Sequence, residues 1–243
     1  KLIQRYLKLY IQEKNNIRVI THTRFFLTSV YWWLFARKYK LPWVHIEHGS
    51  DYVKLSSKLK TKLSIIYDKI FWKWIFKRAD RVLAISEASK KFIRTEFIDR
   101  EVDVFYRGIH IPPIKLDKIW DIKIVYVWRL VALKWVINLL EAYKQLDIDN
   151  ELIIIWDGQE RWNLEKAVDW KNICFLWFKD REFIIDFLSS NNCILVNPSY
   201  QEWLPTTVIE WLLTKNIVIA SDVWGTSEIS SSGDLILYDP HKL

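Results

Sequence analysis

Two glutamates of this chain, Glu202 and Glu210, are separated by seven residues. Pro205 lies between them and suits the first turn of a helix, where its missing N–H is not needed. We therefore predict that Glu202 lies in the loop before this helix and that Glu210 lies within it. A carboxylate accepts hydrogen bonds from neighbouring hydroxyls, so this pair is suited to binding a sugar or a ribose. The alternative is a helix-capping residue followed by a surface glutamate.

Two cations lie where a strand is predicted to end. Arg129 follows the apolar run 122–127, and Lys134 comes five residues later, near the start of the next predicted helix. Two cations together with the free amides of a helix N-terminus suit a diphosphate. The alternative is that both side chains are merely solvated.

A histidine and a glycine, His48 and Gly49, follow a third predicted strand at residues 44–47. The position of His48 at a strand end predicts that it faces an interdomain cleft. A structural or solvated histidine is the alternative.

These residues depend on strands that alternate with helices along the whole chain. This alternation predicts parallel sheets covered by helices. In the first half, strands are predicted at 17–21, 44–47, 81–85 and 102–106, and helices at 1–13, 25–39, 58–77 and 87–97. Ser86 is the expected N-cap of the last of these helices.

The second half has the same alternation, with strands rich in Ile, Val and Leu that are typical of burial on both faces. Strands are predicted at 122–127, 151–155, 173–176, 193–197, 217–221 and 235–237, and helices at 134–145, 159–168, 182–190, 205–214 and 226–230. This pattern predicts a doubly wound, Rossmann-like sheet, in which ligands bind beyond the carboxyl ends of the strands.

Two adjacent prolines at positions 112 and 113 interrupt the pattern, since proline fits neither a helix interior nor a central strand. We predict an N-terminal domain over 1–110, a linker over 111–121 and a C-terminal domain over 122–243. The chain begins with Lys1 and stops in the middle of a predicted domain. We therefore expect it to be a fragment, with both domains incomplete.

The composition is that of a globular protein, with 51% hydrophobic residues and a formal net charge of +7. This charge is compatible with an anionic substrate, an anionic membrane surface or nucleic acid. Cys174 and Cys193 lie in strand-like runs without disulfide or zinc spacing, which indicates buried reduced thiols and a cytoplasmic location.

Tryptophan is abundant and glycine is scarce, with 15 and 5 residues respectively. Tryptophans at positions 128, 135, 156, 203 and 224 stand in turns that follow strand-like runs, where glycine supplies positive φ or close approach of the backbone. We hypothesise that most of them are UGA codons which the source organism decodes as glycine. Mass spectrometry of peptides from the native protein tests this, and tryptophan at 128, 156 and 203 would refute it.

With glycine restored, the segments 127–135, 156–158, 198–210 and 220–229 resemble the retaining glycosyltransferases of family four, which have the GT-B architecture of two Rossmann-like domains facing a cleft. The segment 77–89 resembles the part of that family before its interdomain crossing. The resemblance implies that Arg129 and Lys134 hold the donor diphosphate and stabilise the leaving group. It also implies that Glu210 binds the ribose and that Glu202 binds the transferred sugar.

The resemblance assigns further donor contacts in the second half. The backbone around Leu204, Thr206 and Thr207 would bind sugar and phosphate, and Phe178 would border the base. In the first half, His48 matches the histidine that approaches the sugar. No metal site and no cofactor are implied, since the nucleotide sugar is a substrate.

The implied reaction is transfer of a hexose-type sugar, with retention, to a glycan or lipid-linked acceptor in the synthesis of cell-envelope polysaccharide or glycolipid. The implied location is the cytoplasm, with peripheral contact with an anionic inner membrane face left open and no nucleic acid expected. Two alternatives stay open. One is a non-catalytic basic protein that binds membrane or nucleic acid on this scaffold, and the other is a non-hydrolysing sugar-nucleotide epimerase.

Overall fold

The computed structural model describes residues 17–53, 57–111, 118–127, 136–155, 172–200 and 202–242. The chain divides into two units, Lys1–Arg107 and Gly108–Leu243. The predicted helices at 1–13 and 159–168 lie outside the described residues, as does the start of the predicted helix at 134–145.

Unit one contains a parallel sheet of four strands in the order β1-β2-β3-β4. The strands are β1 (Val19–His22), β2 (Trp43–Glu47), β3 (Arg81–Ala84) and β4 (Asp103–Val104). The helices are α1 (Leu27–Tyr39), α2 (Lys58–Tyr67), α3 (Lys73–Phe76) and α4 (Glu87–Glu96), and a π-helical turn at Asp68–Trp72 joins α2 to α3. The predicted strand at 102–106 is thus shortened to two residues at the sheet edge.

Aromatic side chains dominate the core of unit one. Trp33, Trp43, Trp72, Phe76 and Phe97 are buried together with valines of the sheet and isoleucines of the helical segments. Helix α4 begins as predicted, because the Ser86 hydroxyl accepts a hydrogen bond from the Ser89 amide at 3.1 Å. This cap satisfies one of the amides that a helix N-terminus leaves unpaired.

Unit two contains a parallel sheet of six strands in the order β10-β9-β8-β5-β6-β7. The strands are β5 (Ile119–Val127), β6 (Leu152–Ile155), β7 (Ile173–Trp177), β8 (Asn191–Asn197), β9 (Ile217–Ser221) and β10 (Leu235–Tyr238). The helices are α5 (Val136–Lys144), α6 (Arg181–Ser190) and α7 (Thr206–Leu213). From β5 the chain adds β6 and β7 on one side, and β8, β9 and β10 on the other. The order therefore reverses between β5 and β8.

Two sequence predictions about unit two are wrong in part. Residues 226–230 form turns and bends instead of a helix, with the Thr226 hydroxyl donating to the Val223 carbonyl at 2.9 Å. Such local bonds of Ser and Thr side chains compete with helix formation. Cys193 is buried as predicted, whereas Cys174 is only half-buried, and both thiols are free.

Candidate functional site

The site in unit two is built around the point where the strand order reverses. The register pairs Val125 of β5 with Leu195 of β8, so the two strands end at the same edge of the sheet. In open α/β sheets this reversal opens a crevice beyond the strand ends, where ligands bind. Strand β8 ends at the buried Asn197, and the loop that follows contains Glu202.

Glu202 lies in the loop before α7, as predicted, and its side chain is largely buried. The Asn197 amide donates to Glu202 Oε1 at 3.5 Å, which is the outer limit for a hydrogen bond. Burial raises the pKa of the Tyr126 phenol, and the charge of Glu202 raises it further. A carboxylate accepts hydrogen bonds from hydroxyls, so Glu202 is suited to contact a sugar at this strand end.

Helix α7 begins at Thr206, with Pro205 in extended conformation at the N-cap position and no side-chain cap. The proline thus lies just before the helix, one residue earlier than its predicted place in the first turn. Within the part of the chain that the structure describes, the buried Thr207 hydroxyl has no hydrogen-bond partner. A buried polar atom without a partner costs free energy, so this hydroxyl is a candidate ligand contact at a helix N-terminus, a general site for anions.

Glu210 lies within α7, as predicted, and forms an ion pair that the sequence did not indicate. The Arg181 Nε donates to Glu210 Oε1 at 2.9 Å, and the Arg181 Nη2 donates to the His110 carbonyl at 2.8 Å. Arg181 begins α6, directly after its cap Asp180. Its place beyond the end of β7 is the one sequence signal that relates it to this edge of the sheet.

Phe178 follows β7 directly, and its ring is exposed at the carboxyl edge of the sheet. The preceding residue, Trp177, has a left-handed φ of 51° and stacks on Phe175 with ring centroids 4.9 Å apart. Arg129 and Lys134 lie outside the described residues, so the structure does not place the predicted diphosphate contacts.

In unit one, His48 follows β2 as predicted and contacts a second histidine. His22, the last residue of β1, places its Nδ1 3.1 Å from the Nε2 of His48. The sequence analysis missed His22, although its position at a strand end next to β2 was a usable signal. Because two ring nitrogens at this distance share one proton, one ring donates and the other accepts.

Both histidines of this pair are shifted toward their neutral forms. Burial lowers the pKa of His22, and the neighbouring His45 ring disfavours its protonation further. The pKa of His48 is also lowered, first by burial and then by His22. Arg107 and His45 lower it as well, and the opposing effect of Glu47 does not cancel these contributions. The pair is therefore neutral over a wider pH range than two ordinary histidines.

A buried charge network lies beneath His48. The Arg24 side chain is fully buried, with Nη1 3.1 Å from Glu47 Oε1 and Nε 3.1 Å from Asp68 Oδ2. The contact with Glu47 is close but poorly aligned, since Arg24 Nη1 makes no hydrogen bond within the described residues. Burial alone would raise the pKa of Glu47. The His45 hydrogen bond and the charge of Arg24 outweigh this effect and hold the pKa below its usual value.

The donors and acceptors of four buried side chains fix one direction for the hydrogen bonds around Glu47. The Trp43 indole can only donate, and it reaches the Thr21 hydroxyl at 2.9 Å. The Glu47 carboxylate can only accept, so His45 Nε2–H donates to its Oε2 at 3.3 Å, and a ring that carries this one proton accepts at Nδ1 from the Thr21 hydroxyl at 2.8 Å. This chain of bonds assigns the Nε2–H tautomer to His45.

Gly49 allows the loop at His48 to close over this network. Its amide donates to Glu47 Oε1 at 2.7 Å. A Cβ at this position would lie 2.8 Å from Arg24 Nη1 and 3.2 Å from Glu47 Oε1, which is closer than packed atoms approach. The glycine is therefore required by close approach, and the residues on both sides of His48 are held to the same carboxylate network.

Within the described ranges, no group of three or more His, Cys, Asp or Glu side chains is placed to hold a metal ion.

Comparisons with known proteins show the class of protein to which this chain belongs. Residues 2–111 match the family model Glycosyltransferase Family 4, and residues 116–242 match the model Glycosyl transferases group 1. The chain belongs to this family of glycosyltransferases, which confirms the resemblance read from its motifs.

Two curated relatives match in sequence. The uncharacterized glycosyltransferase MJ1069 of Methanocaldococcus jannaschii is 35% identical over 237 residues, which covers 88% of this chain and 60% of the relative. TuaC of Bacillus subtilis, to which a role as teichuronic acid biosynthesis glycosyltransferase is ascribed, is 31% identical over 116 residues, covering 48% of this chain and 28% of TuaC. The chain thus spans less than two thirds of either relative.

The solved structures include HepE from Anabaena, determined in complex with UDP and glucose. It matches with a TM-score of 0.66 at 16% identity, and the match covers 96% of this chain and 67% of HepE. The two parallel-sheet α/β units therefore have the predicted GT-B fold.

Proposed function

We propose that the protein is a retaining glycosyltransferase that moves a hexose-type sugar from a nucleotide sugar to a glycan or lipid-linked acceptor. The observation that carries the proposal is the cluster at the strand-order reversal of unit two. There, the buried carboxylate of Glu202 and the buried hydroxyl of Thr207, which has no partner among the described residues, flank the N-terminus of α7. Family membership supports the reaction class.

Several parts of unit two contribute to the proposed donor site. The N-terminus of α7, with the Thr206 and Thr207 amides, suits the diphosphate because helix N-termini attract anions. Glu202, beside it, is proposed to bind hydroxyls of the transferred sugar, and Glu210 to bind the ribose. Phe178, whose ring is exposed beyond β7, is proposed to border the base.

The chemistry that we propose is departure of a nucleoside diphosphate through a transition state with oxocarbenium character. The leaving group gains negative charge, which fixed positive groups stabilise best. The family resemblance assigns this role to Arg129 and Lys134, without a metal ion. His48, held in a neutral pair with His22, is proposed to contact the sugar as an uncharged hydrogen-bonding group.

The proposed donor and acceptor classes rest on the relatives. HepE was determined with UDP and glucose, which makes a UDP-sugar the first donor to test. TuaC is named for teichuronic acid biosynthesis, which supports an acceptor in cell-envelope polysaccharide or glycolipid synthesis at the cytoplasmic side of the membrane.

We also propose that glycine replaces tryptophan at the strand-end turns of the native protein. Trp177 and Trp224 have left-handed φ values of 51° and 46°, a conformation that costs a residue with a side chain about 1–2 kcal/mol. Peptide mass spectrometry of the native protein decides this, since tryptophan at 177 and 224 would contradict it.

Calorimetric titration with UDP-, GDP- and ADP-sugars tests the donor site. We expect micromolar binding of one nucleotide series by the Trp203→Gly variant, and a loss of about tenfold or more when Glu210→Gln is added, because a hydrogen bond to a charged group contributes about 1.5–3 kcal/mol. Glu141→Gln, on the exposed side of α5, is the matched control and should leave binding unchanged.

Three results would contradict the proposal. A folded protein that binds no nucleotide sugar would favour the non-catalytic scaffold. Binding that Glu210→Gln and Glu141→Gln affect equally would remove the assigned ribose contact. Conversion of the donor to its epimer without an acceptor, detected by chromatography, would favour the epimerase.

A further inference from the structure

The ion pair between Arg181 and Glu210 joins two helices of unit two. Arg181 is the first residue of α6, which follows β7, and Glu210 lies one turn into α7, which follows the loop after β8. The Arg181 Nε donates to Glu210 Oε1 at 2.9 Å. Helices that follow parallel strands begin at the carboxyl edge of the sheet, so the pair lies at the edge where ligands of such sheets bind.

The Glu210 carboxylate is only half committed to this pair. Its second oxygen, Oε2, makes no hydrogen bond within the part of the chain that the structure describes. The side chain is 18% exposed, so it remains open to a ligand. An ionised carboxylate accepts hydrogen bonds at both oxygens, and the one that Arg181 leaves open is therefore available to a ligand hydroxyl.

Arg181 is held in place at a second point. Its Nη2 donates to the backbone carbonyl of His110 at 2.8 Å, and His110 lies just after the start of unit two. A guanidinium is planar and rigid, so two bonds to different acceptors fix its position and its plane. Although the side chain is 53% exposed, it is therefore a fixed donor for Glu210.

The pair lies on the same helix face as a polar atom that lacks a partner. Thr207 precedes Glu210 by three residues in α7, a spacing that places both side chains on one face of the helix. Within the described residues, the buried Thr207 hydroxyl has no hydrogen-bond partner. This face of α7 thus presents a hydroxyl and a carboxylate oxygen, both of which can bind a ligand.

The charge of Arg181 matters for a ligand that carries phosphate. A carboxylate beside a diphosphate repels it, and this repulsion weakens binding of the whole nucleotide. The guanidinium compensates the charge of Glu210 without occupying its second oxygen. A nucleotide would therefore meet an acceptor for its hydroxyls that has little net negative charge.

From these contacts we propose that Arg181 is a positioning residue of the donor site. It orients the Glu210 carboxylate toward the ribose hydroxyls and neutralises its charge beside the diphosphate. The inference rests on the proposed function, in which Glu210 binds the ribose. Arg181 acts through Glu210, and the His110 carbonyl holds it in place.

The opposite role for Arg181 is that of a competitor which the ribose must displace. In the described residues the arginine uses one carboxylate oxygen and leaves the other open. A ribose hydroxyl can therefore bind Glu210 without breaking the ion pair. The two roles predict opposite effects of removing the arginine, because loss of a competitor tightens nucleotide binding.

Calorimetric titration with UDP, 2′-deoxy-UDP and 3′-deoxy-UDP tests the inference. UDP is the probe because HepE was determined with it. The parent is the Trp203→Gly chain of the donor titration. We expect it to bind at least one of the deoxy nucleotides about tenfold more weakly than UDP, because a hydrogen bond to a charged group is lost. In Arg181→Ala this preference for ribose should shrink to roughly threefold or less, and UDP itself should bind about tenfold more weakly.

Two further variants separate positioning from charge and from folding. Arg181→Lys keeps the charge but offers a compact ammonium instead of a rigid fork, so it should recover part of the UDP affinity without the full preference for ribose. Arg81→Ala removes an exposed arginine from the surface pair with Asp103 and is the matched control, which should bind like the parent. Both alanine variants should unfold at the same urea concentration as the parent, since exposed pairs contribute little to stability.

A double variant tests whether Arg181 acts through Glu210. When Glu210 is already changed to Gln, adding Arg181→Ala should cause little further loss of the preference for ribose, because the carboxylate that the arginine orients is gone. Additive losses in the double variant would show that Arg181 acts independently of Glu210.

Failure of the inference and failure of the proposed function give different results. A folded parent that binds none of the nucleotides, or that Glu210→Gln does not weaken, would refute the donor site itself. Where the parent and Glu210→Gln behave as expected, four results would overturn the role of Arg181 alone. They are an unchanged preference for ribose in Arg181→Ala, tighter binding of UDP by that variant, full preference for ribose in Arg181→Lys, and an equal loss in Arg81→Ala.

Discussion

The two units differ in the hydrogen bonds of the buried polar groups at their strand ends. Glu47, at the end of β2, accepts hydrogen bonds from the backbone amides of Arg24 and Gly49 and from the His45 ring, and it is paired with the Arg24 guanidinium. Glu202, in the loop after β8, accepts from the Asn197 amide at the long distance of 3.5 Å. Both side chains are buried, so solvent does not account for the difference.

This difference distinguishes a structural network in unit one from a substrate-binding site in unit two. A buried polar group whose hydrogen bonds are all made within the protein fixes the conformation of the chain around it. A buried polar group without a partner, such as the Thr207 hydroxyl within the described residues, is costly until a ligand binds it. We infer that the Glu47 network positions the His48 loop, whereas the polar atoms near α7 bind substrate.

The largest expected effect concerns the scaffold of unit one. Arg24→Met leaves Glu47 and Asp68 buried without their common cation, and breaking a buried ion pair in this way costs about 3–5 kcal/mol. We expect the free energy of unfolding from urea titration to fall by this amount. Arg81→Met, which removes a surface pair with Asp103 at 3.8 Å, is the control and should change little. Equal effects of the two variants would show that the buried network is not a scaffold.

The second expected effect concerns the substrate-binding site of unit two. Glu202→Gln keeps the shape of the side chain and removes its charge, so we expect the affinity for nucleotide sugar to fall by about 10- to 100-fold. The free energy of unfolding should fall by less than in Arg24→Met, because Gln keeps the size and the acceptor oxygen of the side chain. Calorimetry and urea titration check the two parts. A large loss of stability with unchanged affinity would reverse the roles that we assign to the two carboxylates.

The smallest expected effect concerns the pH dependence of the His22–His48 pair. Both pKa values are lowered from 6.5, so the unfolded chain binds more protons than the folded one between the folded pKa values and 6.5. Stability should therefore fall as the pH decreases below 6.5, until both histidines are protonated in the folded state. The neighbours His45, Glu47 and Arg107 act on the same pair.

Thermal unfolding between about pH 5 and pH 8 measures this slope in the parent protein and in His22→Asn. Removing His22 eliminates one of the two shifted groups and the main neighbour that lowers the pKa of His48, so the slope should become shallower. A slope that is unchanged in this variant would show that the pair does not control it.

Local features of the site could be predicted from the sequence, because their cause lies within a few residues. Pro205 predicted a helix start, which placed Glu202 in a loop and Glu210 in a helix, and Ser86 predicted a cap. The long apolar strands predicted buried parallel sheets, and the family resemblance added the GT-B architecture.

Features that depend on distant residues could not be predicted. Arg24 contacts Glu47 and Asp68, which are 23 and 44 residues away along the chain, and Arg181 contacts Glu210 across 29 residues. Nothing in the spacing of these residues indicates such pairs, since they form only when helices pack on the sheet. The predicted helix at 226–230 was wrong for the opposite reason, because its own Thr side chain bonds locally to the backbone.

Arg24 also joins two parts of unit one that are distant along the chain. Through Asp68 it holds the inner face of the helical run 58–76, and through Glu47 it holds the loop of His48. Residues that share one partner contribute non-additively to stability. The free energy that anchors this helical run and the free energy that orders the histidine loop are therefore coupled.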